Sequence, residues 1–201
     1  VDVGHYAAEP GVISASGRPE FEYNLALASE VKTELEKRQM SVRLIGERGD
    51  YAVLSRRTRD AKGADLFVSI HHDSVQARLL PQADEFSGFS LFVSRENVKS
   101  KASLACASAI GARLRAAGFT PSRYHADPVL GESRPFADEA NGVHYYDHLA
   151  VGRSAAMASV LVEAGVIVNR DEDGRMRDPE VRHRIAGAIA GGVRDCLAKE
   201  P

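Results

Sequence analysis

Leu66-Phe67-Val68-Ser69-Ile70, running into His71-His72-Asp73, is the stretch on which the fold turns. The apolar run is short, with Gly63 before it and polar residues after it, as a buried strand is bounded. Working outward, residues 51–62 read as a helix stopped at Gly63, and residues 88–93 as the next strand. Residues 1–3 and 41–45 read as further strands, and Val160-Leu161-Val162 centres the last one. Helical patterns lie between them. Residues 20–39 carry Phe21, Leu25, Ala28, Val31 and Leu35 at i+3 and i+4 spacing, residues 98–117 are Ala-rich and closed by Gly118, and residues 179–197 open on a proline suited to a first turn. This alternation predicts an α/β fold: a single-domain, twisted, mostly parallel or mixed sheet with helices on both faces.

Three of these strands end in a residue that does not belong in a core. Val1-Asp2-Val3 leads through Gly4 to His5, residues 66–70 lead to His71, and residues 160–162 lead to Glu163. In open α/β sheets the ends of strands border the ligand crevice, so two imidazoles and a carboxylate are expected to converge there. Two histidines with one glutamate, and a fourth position left for water, make up a common catalytic zinc site. By this reading alone the third ligand is either Glu20 or Glu22 at the start of the first helix. Either could equally be a first-turn carboxylate favoured by the helix dipole. His72 is the poorer ligand beside His71, since neighbouring side chains on a strand point to opposite faces.

Composition narrows the partners. The 201 residues, 44% of them hydrophobic, suffice for one sizeable core. Interspersed charges summing to -2 argue against nucleic acid. No run reaches the roughly 18 apolar residues of a membrane span. Val1 to His5 have no basic start or apolar stretch, so a truncated N-terminus is expected, with any export signal lost with it. Cys106 and Cys196 fall on the apolar stripes of their helices and read as core thiols, with a disulfide left open because sequence carries no geometry. The connections 73–87 and 119–149 are too long for simple turns. The second holds His125, Glu132, Arg134, Phe136, Asp138, Glu139, His144 and His148, and reads as one wall of a groove or as a solvated insertion.

Four fragments in order carry a family resemblance. They are Val1-Asp2-Val3-Gly4-His5, Glu20 with Asn24-Leu25, Ala64-Asp65-Leu66-Phe67-Val68-Ser69-Ile70-His71, and Val160-Leu161-Val162-Glu163-Ala164-Gly165 with Asn169. Over nearly its whole length the chain resembles the zinc-dependent N-acetylmuramoyl-L-alanine amidases. The resemblance implies a catalytic domain over residues 1–201, with Zn2+ on His5, Glu20 and His71 and with Glu163 as the catalytic carboxylate. It thereby favours Glu20 over Glu22. It further implies peptidoglycan as partner, action in the periplasm or at the cell wall, and a monomer. The chain departs from the commonest pattern at Tyr6 and Ala7, where glycines often follow the first histidine, and at His72-Asp73-Ser74. No oxyanion stabiliser is assignable; Arg134, Arg153 and a loop histidine are candidates, and Glu132 and His125 are candidates to approach the metal. A zinc peptidase and a silent wall-binding or regulatory domain are the rival readings.

Overall fold

Strand β2 spans Leu66–Asp73, because His71, His72 and Asp73 continue the ladder beyond the apolar run, with a register shift between His71 and Asp73. It pairs in parallel with β1 (Asp2–Val3) on one side and with β6 (Ala158–Val166) on the other. β3 (Ser90–Val93) lies antiparallel to β6, β5 (Val143–Tyr145) parallel to β3, and β4 (Phe136–Asp138) antiparallel to β5. The result is a mixed six-stranded sheet in the order β1-β2-β6-β3-β5-β4. The structure is a computed structural model describing residues 1–198, so the last three positions of the expected 1–201 domain lie outside the described residues.

Period-two alternation sorts the strands' side chains onto two faces. Val68, Ile70, Val160, Val162, Leu91 and Val93 enter the main core beneath the long helices α1 (Glu20–Lys37), α3 (Ser100–Ala116) and α6 (Pro179–Leu197). Phe67, Leu161 and Phe92 belong to a smaller cluster under the short helices α2 (Leu54–Asp60) and α4 (Ala150–Ser154). His71 and Glu163 share the parity of this second, thinly covered face, and the register sets them side by side. The α/β expectation with helices on both faces therefore holds, with unequal cover.

Several expected elements change. Residues 41–45 form no strand; Ile45 alone makes a parallel bridge, to Asp2, because β1 offers only two residues to pair with. The first helix ends at Lys37 because Gln39 takes a left-handed φ of 63°. The helix expected over 51–62 is the shorter α2; Tyr51 is held outside it, its carbonyl accepting from Arg57 and its hydroxyl donating to Asp60. The connection 73–87 contains a 3-10 segment, Ala77–Glu85. The connection 119–149 is no mere insertion, since it supplies β4 and β5 to the sheet. Helix α5 (Arg170–Arg177) has no apolar stripe to betray it, Met176 being its single hydrophobic residue; its signal is the cap, Asn169 accepting from the amides of Asp171 and Glu172.

Cys106 and Cys196 are not thiols: they form a disulfide joining α3 to α6, with Cα atoms 4.9 Å apart. The two helices cross at backbone contact, which brings the stripes carrying the cysteines together. At Gly192 a Cβ would lie 2.4 Å from the Ile110 Cα, which explains that glycine in the middle of α6.

Candidate active site

His5 follows β1 with a φ of 64°, an uncommon conformation for any residue but glycine. Arg57 holds it there. This buried guanidinium donates to Asp2 Oδ1 at 2.7 Å, to the Val3 carbonyl at 2.5 Å, to the Tyr51 carbonyl at 2.9 Å and to the His5 carbonyl. Strain at His5 is thus opposed by a buried ion pair and three backbone acceptors, so the imidazole projects from a fixed turn.

Glu20, the first residue of α1, bridges the histidines: Oε2 lies 3.0 Å from His5 Nε2 and Oε1 lies 3.1 Å from His71 Nδ1. The carboxylate also accepts from the Val12 amide (3.2 Å), Asn24 Nδ2 (3.0 Å) and the His72 amide (3.3 Å). Burial works to raise its pKa, but the hydrogen bonds and charges of His5 and His71 outweigh burial and hold it well below the usual carboxylate range. Close approach leaves no room for side chains nearby. A Cβ at Gly4 would lie 2.4 Å from the His71 ring, and one at Gly11 would lie 2.2 Å from Glu20 Oε2.

One donor atom from each of His5, Glu20 and His71 falls within 4.8 Å of the others. Two imidazoles and one oriented carboxylate are a fitting donor set for a divalent transition metal. Glu22, the alternative, is turned to the surface and paired with Arg18 at 2.7 Å. His72 faces the opposite side of the sheet, where its Nδ1 lies 2.8 Å from Asn24 Oδ1 and burial lowers it to about 4.

Glu163 sits on β6 in register with His71. Its Oε2 is sealed from solvent and has no hydrogen-bond partner among the described residues. Burial first, then the negative charges of Asp73 and Glu20, push this carboxyl well above its ordinary range. An orphaned buried oxygen beside three metal-type donors makes Glu163 a candidate functional group.

These residues line a cavity of about 560 Å3 whose far wall comes from the long connection. His125 is buried there between Asp73 Oδ2 (2.6 Å from Nε2) and Glu132 Oε2 (2.8 Å from Nδ1). Burial opposes its charge, yet the two carboxylates raise it to about 9. Glu132 also accepts from Arg134 at 2.8 Å, and the Arg134 guanidinium stacks 3.5 Å from the centre of the Tyr146 ring. His125 and Glu132 therefore pair with each other and do not join the His5–Glu20–His71 group. Arg153 lies outside the cavity, 3.7 Å from Glu96 at the surface. Sequence reading missed Asp73 as a site residue; its only signal was its position two residues beyond His71. A cavity of about 540 Å3 beside β1 and β2, lined by Leu35, Met40 and Phe67 with Arg43, Lys62 and Asp65, holds no histidine or glutamate among the described residues.

Comparison with known proteins identifies the fold and the family. The fold matches the solved catalytic domain of the N-acetylmuramoyl-L-alanine amidase CwlV from Bacillus (Paenibacillus) polymyxa var. colistinus, with a TM-score of 0.77 and 26% identity over 99% of this chain and 97% of that one. It also matches an N-acetylmuramoyl-L-alanine amidase from Clostridium difficile 630, at a TM-score of 0.79 over 100% and 96% of the two chains; at 19% identity that likeness speaks for the fold alone. Among curated relatives, the chain is 28% identical to the N-acetylmuramoyl-L-alanine amidase AmiC of Neisseria meningitidis serogroup B, over 96% of this chain and 51% of that protein. It is 25% identical to the probable cell wall amidase LytH of Staphylococcus saprophyticus, over 96% of this chain and 56% of that protein. The chain thus spans about half the length of these curated relatives. Residues 1–195, a span that takes in every residue of the cavity, match the family model described as N-acetylmuramoyl-L-alanine amidase, and the chain belongs to that family.

Proposed function

We propose that this chain is a zinc-dependent peptidoglycan amidase domain that hydrolyses the amide between the lactyl group of N-acetylmuramic acid and L-alanine. The observation that carries the reading is the meeting, in one cavity, of a three-donor group (His5, Glu20, His71) with a buried, partnerless carboxyl, Glu163. Family membership supports the substrate class.

In this reading His5, Glu20 and His71 hold the ion, and Asn24, His72 and Val12 hold Glu20 by the hydrogen bonds described above. Zinc, when bound, supplies Lewis acidity, polarising a carbonyl and making water acidic enough to attack near neutral pH. Glu163 takes the proton of the attacking water and returns it to the nitrogen of L-alanine as the amide breaks. A carboxyl pKa raised by burial suits this double duty, because such a group binds a proton more readily than an exposed carboxylate does. The disulfide fits an oxidising compartment, so action in the periplasm or at the cell wall belongs to the same proposal.

Mass spectrometry of peptidoglycan digested by the protein, with and without prior chelation, tests the reading. Free stem peptides beginning at L-alanine, released only by the metal-loaded protein, are the expected products. Shortened peptides still attached to sugar would make the domain a peptidase, and an unchanged polymer would leave it a wall-binding module.

A further inference from the structure

Arg134 lines the cavity opposite the three-donor group, and nothing in the proposed hydrolysis uses it. It is unusually well fixed for an arginine in a long connection. Its amide donates to the His125 carbonyl at 2.8 Å, its guanidinium lies against Tyr146, and Glu132 is its one ion-pair partner among the described residues. Asp73, His125, Glu132 and Arg134 form a chain of alternating charge, and Arg134 is the end that opens to the cavity. Glu132 engages one of its terminal nitrogens, and a guanidinium offers five donors in a rigid plane, so the remainder form a preset receptor for a carboxylate.

The sheet order says which part of a substrate reaches it. Across the site face the groups follow one another as His5 after β1, His71 on β2, Glu163 on β6, Phe92 on β3, then Tyr146 just after β5 with Arg134. Strands lie roughly 5 Å apart, so Arg134 and Tyr146 stand about two strand spacings beyond Glu163. Glu163 must reach the leaving nitrogen, so the leaving peptide lies on its side of the metal and the glycan on the other. One residue beyond the scissile nitrogen the chain has advanced roughly 3.8 Å, and the long side chain of Arg134, which lines the same cavity as Glu163, spans the rest of the distance to the next substituent. In a stem peptide that substituent is the free α-carboxylate of a γ-linked D-glutamate following L-alanine. A groove of about 370 Å3 shares Glu132, Arg134 and Tyr146 with the cavity and continues past them to Arg95, Tyr145 and His148, which leaves an exit for the rest of the peptide.

We propose that Arg134, braced by Glu132 and Tyr146, is a specificity subsite that receives the free carboxylate of the second stem-peptide residue. The proposal rests on the amidase reading above. Amidation of that carboxylate removes the charge and replaces an acceptor oxygen with a donor, so the domain should distinguish acidic from amidated stem peptides.

The test compares kcat/KM of the zinc-loaded protein on two synthetic substrates, MurNAc-L-Ala-γ-D-Glu-L-Lys and its counterpart in which the α-carboxylate is a carboxamide. A preference for the acid of roughly tenfold or more is expected, as for a charge-assisted hydrogen bond. In Arg134→Met the ratio should fall toward one. Equal cleavage of the two substrates by the unaltered protein, which needs no variant to fold, would overturn the subsite while leaving the amidase reading intact. So would an Arg134→Met protein that still preferred the acid. Cleavage of neither substrate by protein with bound zinc would remove the amidase reading, and the subsite with it.

Discussion

The two walls of the cavity are built on different principles. The wall of His5, Glu20 and His71 rests on β1, β2 and the first turn of α1, and is propped from within by the buried Arg57–Asp2 pair and by Asn24. The opposite wall joins the long connection to Asp73 at the end of β2 and holds itself by charge, through Asp73, His125, Glu132 and Arg134. Secondary structure fixes the first wall, since Glu20 opens α1 and His71 lies within β2. The second wall leans on side-chain charge pairs as well as on the strands β2 and β5 that border it. In the proposals above, the first wall carries the chemistry and the second the selection.

Changes on the chemical side should have the largest effects. Glu163→Gln is expected to lower turnover by about 100- to 10,000-fold while retaining zinc, and His71→Ala is expected to lose both, as read by elemental analysis beside the product assay. A Glu163→Gln protein with near-full turnover would transfer the proton role elsewhere. Next comes the prop beneath His5. Arg57→Leu strands Asp2 in the interior and is expected to cost about 3–5 kcal/mol in urea unfolding. A loss below about 1 kcal/mol would mean that the strained His5 turn holds itself.

Away from both walls, reduction of the Cys106–Cys196 bridge frees a loop with a sequence separation of 90 and should cost about 2–4 kcal/mol, visible as a lower Tm in reductant. An unchanged Tm would show that the packing of α3 on α6 already suffices.

The charged wall should respond to pH. Folded His125 keeps its proton up to about 9, while the unfolded chain releases it near 6.5. The stabilisation, on the order of 3 kcal/mol, is complete below about 6.5 and is lost as pH rises through 9. In metal-free protein the stability gap between the unaltered chain and Asp73→Asn should therefore narrow from pH 6 to pH 10, and a constant gap would rule out a charged His125. The smallest effect belongs to Glu22→Ala. Its exposed pair with Arg18 is expected to change stability by no more than about 0.5 kcal/mol and to leave zinc content unaltered.

The same division explains what was legible in the sequence. His71 and Glu163 end apolar runs, where strand periodicity points them out, and His5 follows a third such run. Glu20 was distinguishable from Glu22 only through a family motif, because spacing along a helix start does not say which carboxylate turns inward. The charged wall was visible as a list of polar residues in the 119–149 connection. Its pairing was not, because His125 meets Asp73 across 52 residues with no periodicity to relate them. Helix α5 escaped notice for lack of an apolar stripe. The disulfide remained open because two cysteines on separate helices carry no information about how closely those helices cross.

Anomalous diffraction at the zinc absorption edge, from crystals grown with zinc, tests the central assignment most directly. The account predicts a single strong peak among the imidazole nitrogens of His5 and His71 and the Glu20 carboxylate, with Glu163 facing it across the cavity. A peak between Asp73, His125 and Glu132, or none in the cavity at all, would contradict it.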